Sequence, residues 1–139
     1  MKPKKQWQRK ISEDRILAAK AEVQMLLDVN VIREVKYSEW LANVVLVLKK
    51  NGKMRMCIDF TDLNKACKKD PFPLPRIDAS VDKAVGCKCF SLLDCFSGYH
   101  QIWLNKEDEE KTSFTTPFGT YYFTRMPEGL KNAGSTFAR

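Results

Sequence analysis

Asp94 ends the apolar run Phe90-Ser91-Leu92-Leu93, and its placement is the first in the chain that could do chemistry. A carboxylate at a strand end, beside a turn, can hold a divalent ion with open coordination positions. The same placement also suits an ordinary turn cap. A second constellation is cationic. Lys49, Lys50, Lys53 and Arg55 crowd around Asn51-Gly52, a grouping suited to phosphate oxygens. Other groups offer less. Neighbouring side chains diverge, so Glu107-Asp108-Glu109-Glu110 reads as a solvated loop, not an ion site. His100 is the sole histidine and has no evident partner for a dyad. Ser97, in Phe-Ser-Gly, lacks the glycine pattern of a hydrolase elbow. Cys87-x-Cys89 is the one close cysteine pair, whereas tetrahedral zinc takes four ligands. No phosphate-cradling glycine loop is present.

The elements that would position these residues follow from periodicity. Ile16, Ala19, Val23 and Leu26/Leu27 recur at helical spacing, which predicts an amphipathic helix over 13–29 with Ser12 as N-cap and Asn30 as stop. Val44–Leu48 is an apolar run rich in β-branched residues. After Lys49–Lys53, Met54, Met56, Ile58 and Phe60 alternate with Arg55, Cys57 and Asp59. Asn-Gly between two such patterns predicts a hairpin with both central residues free to take positive φ. Arg55 then faces away from the apolar side. Three alternating prolines in Asp70–Pro75 make that segment an extended connector. A short helix is expected over 78–85, stopped by Gly86, and a strand over 90–94. Two more strands are expected over 112–116 and 120–126, and a helix beginning near Leu130.

The 139 residues suit one domain or part of one. With 44% hydrophobic and 29% charged residues the chain is neither disordered nor fibrous. Val44–Leu48 is far short of the roughly 20 residues that cross a bilayer, and no secretory leader is visible. Five cysteines, an odd number, suit free thiols in a reducing compartment. The net charge of +7 is concentrated: residues 1–10 carry +5 and residues 49–69 another +5. Two basic segments suggest a polyanion, nucleic acid or nucleotide, as partner. A solubilising tail and an exposed hairpin would account for the same charges.

Four blocks carry a family resemblance. Val45–Lys65, with Lys-Lys-Asn-Gly-Lys at its turn, resembles the fingers hairpin of reverse transcriptases. Phe90–Ile102 resembles the first palm motif, and Lys111–Gly119 and Arg125–Ala133 the next two blocks, in the same order and spacing. The chain is most similar to the gypsy-type long-terminal-repeat retrotransposons, plant branch, over about residues 11–139. The resemblance implies an α+β fold: right-hand polymerase fingers and a partial palm, with a mostly antiparallel sheet and packed helices. Residues 1–11 would be a flexible basic arm, about 12–89 fingers, and about 90–139 the start of the palm.

By resemblance the activity is that of an RNA-directed DNA polymerase, a nucleotidyltransferase using two Mg²⁺ or Mn²⁺ ions. Asp94 would be a ligand of both ions and the main-chain carbonyl of Cys95 a ligand of one. Lys49, Lys50 and Arg55 would grip the triphosphate. Tyr99 would lie under the incoming sugar, and Gly129 and Lys131 near template and nucleotide. Implied partners are an RNA or DNA template-primer, deoxynucleoside triphosphates, and the remaining palm, thumb and RNase H, with no membrane. Cytoplasm or nucleus would be the compartment. The family's Tyr-x-Asp-Asp motif does not occur in these residues, so the piece is expected to end before the second catalytic motif and to be inactive alone. A non-catalytic nucleic-acid-binding protein or an inert remnant of such an element stays open beside that reading.

Overall fold

In the computed structural model, which describes residues 2–139, the first expected helix forms as α1 (Glu13–Asp28). Ser12 begins it through its backbone: its carbonyl accepts from Arg15 N and Ile16 N, both at 3.0 Å. Ala19, Val23 and Leu26 form the buried stripe. The helix ends as Asn30 turns left-handed at φ 56°. Asn30 N then donates to Leu27 O and Val31 N to Leu26 O, each at 2.9 Å, which satisfies two terminal carbonyls.

The chain continues through β1 (Ile32–Glu34), β2 (Ala42–Leu48) and β3 (Met54–Ile58). β1 has no counterpart in the sequence reading; it is three residues long, and only Ile32 points inward. β2 and β3 form the expected hairpin, with Val44 opposite Ile58 and Leu46 opposite Met56. The turn differs from the expected one. Lys49 N bonds Lys53 O at 2.8 Å and Gly52 N bonds Lys49 O at 2.9 Å, giving a three-residue loop in which only Gly52 takes positive φ. Asn51 contributes its side chain, which accepts from Lys53 N at 3.1 Å.

Helices α2 (Thr61–Ala66) and α3 (Ile77–Asp82) flank the proline connector, and a single 3₁₀ turn covers Gly98–Gln101. The acidic run is a short helix, α4 (Lys106–Glu109), not a loop, because Asn105 caps it by accepting from Glu107 N. Strands β4 (Phe114–Thr116) and β5 (Gly119–Phe123) and helix α5 (Ala133–Ala138) complete the described chain.

The five strands form one sheet in the order β1-β5-β4-β2-β3. β2 runs parallel to β4, and the other neighbours are antiparallel. This is the expected α+β architecture with a mostly antiparallel sheet. Strands from both sides of residue 90 share it. The core lies between α1 and the sheet, where Phe114, fully buried, meets Phe123 at 5.3 Å with the rings tilted by 39°. Phe60 meets Phe123 edge-on at 6.3 Å. Burying such rings contributes roughly 1.5–3 kcal/mol each.

The stretch expected as a flexible arm lies along β2. Gln6 N donates to Leu41 O at 2.8 Å. The buried Asn43 side chain accepts from Arg9 N at 3.1 Å and donates to Trp7 O at 2.8 Å. Lys4 pairs with Asp62 and Arg9 with Asp59, both at 3.0 Å. The Trp7 ring itself is exposed.

The strand expected over 90–94 does not form; residues 87–95 have no regular structure. A strand needs a neighbour for its N–H and C=O groups, and among the described residues no strand pairs with this run. Leu92 is 89% exposed and Leu93 93%.

Candidate nucleotide and nucleic-acid site

Asp94 therefore sits on an irregular ledge and not at a strand end, with its carboxylate in solvent. A sharp bend follows it. Ser97 is left-handed at φ 46°, and Gly98 lies so close to Phe137 that a Cβ would come within 3.0 Å of the ring. Tyr99 follows this bend, in the 3₁₀ turn. Its ring meets Phe137 edge-on, at 5.5 Å and 89°. Asp94, Cys95, Tyr99, His100, Glu128 and Phe137 all line one cavity of about 450 Å³.

A second cavity, of about 380 Å³, holds Arg55, Met56, Ile58, His100, Glu128 and Gly129. The two cavities share His100 and Glu128. Asp94 and Tyr99 on one side and Arg55 and Gly129 on the other thus line adjoining spaces. Arg55 reaches across from β3, where strand alternation turns it off the apolar face, and its guanidinium bonds the Glu128 carboxylate. His100 is half-buried, and that burial holds its imidazole below the ordinary 6.5, only partly opposed by Glu22. Burial therefore favours its neutral form.

Lys49 and Lys50 sit at the exposed hairpin tip and line neither space. Lys131 is directed elsewhere. Its ammonium donates to Cys67 O at 2.9 Å and Asn64 O at 3.3 Å, where α2 presents free terminal carbonyls. Sequence reasoning missed Glu128 and Phe137. Glu128 meets a partner 73 positions away, so no local pattern could reveal it.

The electrostatics are those of an anion-receiving surface. Lys49, Lys50 and Lys53 are exposed at the tip of the β2–β3 hairpin, and Lys65, Lys68 and Lys69 are exposed on and just after α2. A divalent ion fits less well. Mg²⁺ usually takes one or two carboxylates, and a pair of ions takes more. Asp94 and Glu128 are the carboxylates lining the first cavity, and Glu128 is paired with Arg55. Among the described residues no group of three or more His, Cys, Asp or Glu converges to hold a metal. These residues by themselves do not fit a two-ion centre. No helix among the described residues is long and apolar enough to cross a membrane.

The chain is similar to known proteins in sequence and in fold. Residues 47–139 match the family described as "Reverse transcriptase (RNA-dependent DNA polymerase)". The chain is 42% identical over 125 residues to the retrovirus-related Pol polyprotein of transposon 412 from Drosophila melanogaster, covering 86% of this chain and 10% of that protein. It is 43% identical over 84 residues to an RNA-directed DNA polymerase homolog from Oenothera berteroana, covering 60% of this chain and 59% of that one. The chain spans about a tenth of the length of the transposon polyproteins it matches. Among solved structures, prototype foamy virus protease-reverse transcriptase superposes with TM-score 0.83 at 23% identity, over 99% of this chain and 18% of that one. The foamy viral protein in complex with RNA/DNA hybrid gives 0.82 at 19% identity, over 99% and 18%. At these identities the likeness is one of fold.

Proposed function

Because the chain belongs to the reverse transcriptase (RNA-dependent DNA polymerase) family, we propose that its residues serve template-directed nucleotidyl transfer in a retrotransposon polyprotein. They supply the fingers, about 12–89, and the first part of the palm, about 90–139, with 1–11 as a basic arm. The observation that carries this reading is the adjoining of the Asp94–Tyr99 cavity to the Arg55–Gly129 cavity. A nucleotide lying across them meets cation at one end and carboxylate at the other. Arg55 takes phosphate oxygens, assisted by Lys49 and Lys50 from the exposed tip of the hairpin. Tyr99 forms the floor beneath the sugar. Gly129 borders the nucleotide, and Lys131 supports it from a distance by holding α2.

Asp94 and the Cys95 carbonyl contribute ligands for Mg²⁺ or Mn²⁺ only together with carboxylates that these 139 residues do not contain. The partners are an RNA or DNA template-primer, deoxynucleoside triphosphates and the remaining parts of the polymerase. The 45% identity to the gypsy Pol polyprotein of Drosophila melanogaster supports a gypsy-like parent, and the similarity to the Oenothera berteroana homolog supports its plant branch. Replication would place the protein in the cytoplasm or nucleus.

Primer extension tests the reading. The 139-residue chain should extend no primer; extension that Asp94→Asn abolishes would overturn the two-ion argument. A second reading, a non-catalytic nucleic-acid-binding module or inert remnant, is favoured by the exposed lysines around the hairpin. Template-primer binding that weakens steeply between two salt concentrations supports the module, since neutralised phosphates release counterions. Binding insensitive to salt rejects it.

A further inference from the structure

Arg55 is already engaged. Its guanidinium bonds the carboxylate of Glu128, which lines both cavities. The partner is held in place by its surroundings. Gly129, next in sequence, has φ 91°, a conformation that favours glycine, and lies against β3: a Cβ there would sit 3.7 Å from Ile58 O. Asn64 donates to Gly129 O at 2.7 Å and accepts from Lys131 N at 2.8 Å, which fixes the loop on both sides of the glycine. Glu128 is thus presented to Arg55 by an anchored backbone. Both side chains remain about half exposed, so an incoming anion has access to the guanidinium.

We propose that Glu128 is an internal counter-anion: it occupies the Arg55 guanidinium in the free protein and must give it up when a nucleotide triphosphate binds. The proposal rests on the reading that Arg55 receives phosphate. A guanidinium fork has the same bidentate fit to carboxylate and to phosphate, so the two compete for one set of donors. After displacement the Glu128 carboxylate remains beside the bound polyanion and repels it. Glu128 therefore lowers affinity for a triphosphate, through the competition and through the repulsion that outlasts it.

The test is calorimetric titration of inorganic tripolyphosphate and of monophosphate into the 139-residue chain, its Glu128→Gln variant, Arg55→Gln and the double variant. Circular dichroism melts establish that each variant is folded. The expected result is that Glu128→Gln tightens tripolyphosphate binding by roughly fivefold to tenfold, as removal of one nearby like charge implies. The ratio of tripolyphosphate to monophosphate affinity should rise, because breaking the Arg55–Glu128 pair costs both ligands alike while the carboxylate left behind repels the more highly charged one more strongly. In the Arg55→Gln background the Glu128 change should have a markedly smaller effect, since the competition has lost its object. Equal affinity of wild type and Glu128→Gln overturns the counter-anion while leaving Arg55 as a phosphate ligand. Equal affinity of wild type and Arg55→Gln, or no binding by any variant, overturns that ligand role and the counter-anion together.

Discussion

Asn64 grips Gly129: the side-chain amide of the α2 residue donates to the glycine carbonyl at 2.7 Å. The other end of the same amide accepts from Lys131 N at 2.8 Å. Lys131 returns the contact, its ammonium lying on the Asn64 and Cys67 carbonyls. One short helix and one loop, 65 positions apart, are thereby joined through four hydrogen bonds. The loop carries Glu128 and the helix follows directly on the Arg55 strand, so this junction sets the spacing across the candidate site.

Replacing Asn64 should loosen it. Asn64→Ala removes two of the bonds and should lower stability by about 1–2 kcal/mol. For a chain of this size that is a fall of roughly 3–8 °C in melting temperature, read by circular dichroism. An unchanged melting temperature would show that water replaces both bonds without loss.

Asp59 should govern part of the acid limb of stability. Its carboxylate accepts from the Thr61 hydroxyl and lies 3.0 Å from Arg9. The Thr61 hydrogen bond, with the Thr61 backbone bond and Arg9 helping, holds its pKa below the ordinary 3.8 despite some desolvation. A depressed folded pKa contributes stability above the unfolded value, and that contribution is lost as pH falls through the folded one. Asp59→Asn should therefore melt below wild type at pH 6. The gap should narrow as pH drops under 3.8, in melts taken across that range. A gap independent of pH would assign the loss to packing and not to charge.

Leu92 and Leu93 should govern solubility without governing stability. Both side chains stand almost wholly in solvent, flanked by the exposed rings of Phe90 and Phe96. Such an apolar run is a self-association hazard. The double variant Leu92→Lys, Leu93→Lys should reduce light scattering of concentrated protein. It should shift stability by under about 0.5 kcal/mol, since neither side chain is buried. A large loss of stability would mean that the run is covered in solution.

What could be read from the sequence was local. The hairpin was visible because alternation and a turn dipeptide lie within some fifteen residues of each other, and α1 because its stripe repeats every turn. The hairpin's turn type was not, because Asn51 uses its side chain and leaves positive φ to Gly52 alone. Phe90–Asp94 has the residue types of a strand, yet pairing is a relation to a neighbour and no composition supplies one. The docking of residues 4–9 escaped notice for a similar reason. It depends on Asn43, a buried amide on a strand that otherwise reads as apolar. At the site, the sequence singled out Asp94, Arg55 and Tyr99, which the fold sets around two adjoining cavities, but not Glu128, which lines both.

The strand order has a consequence for synthesis. Ile32 waits for Phe123, some ninety positions later, and Ala42 for Phe114. The β2–β3 hairpin and α1 can take shape as they leave the ribosome, but the sheet that covers α1 cannot close until β5 has emerged. Loop closure over such spans makes the late step slow relative to the local ones. Throughout that interval Val44, Leu46 and the inner face of α1 stand uncovered, which is when the nascent chain most needs a chaperone.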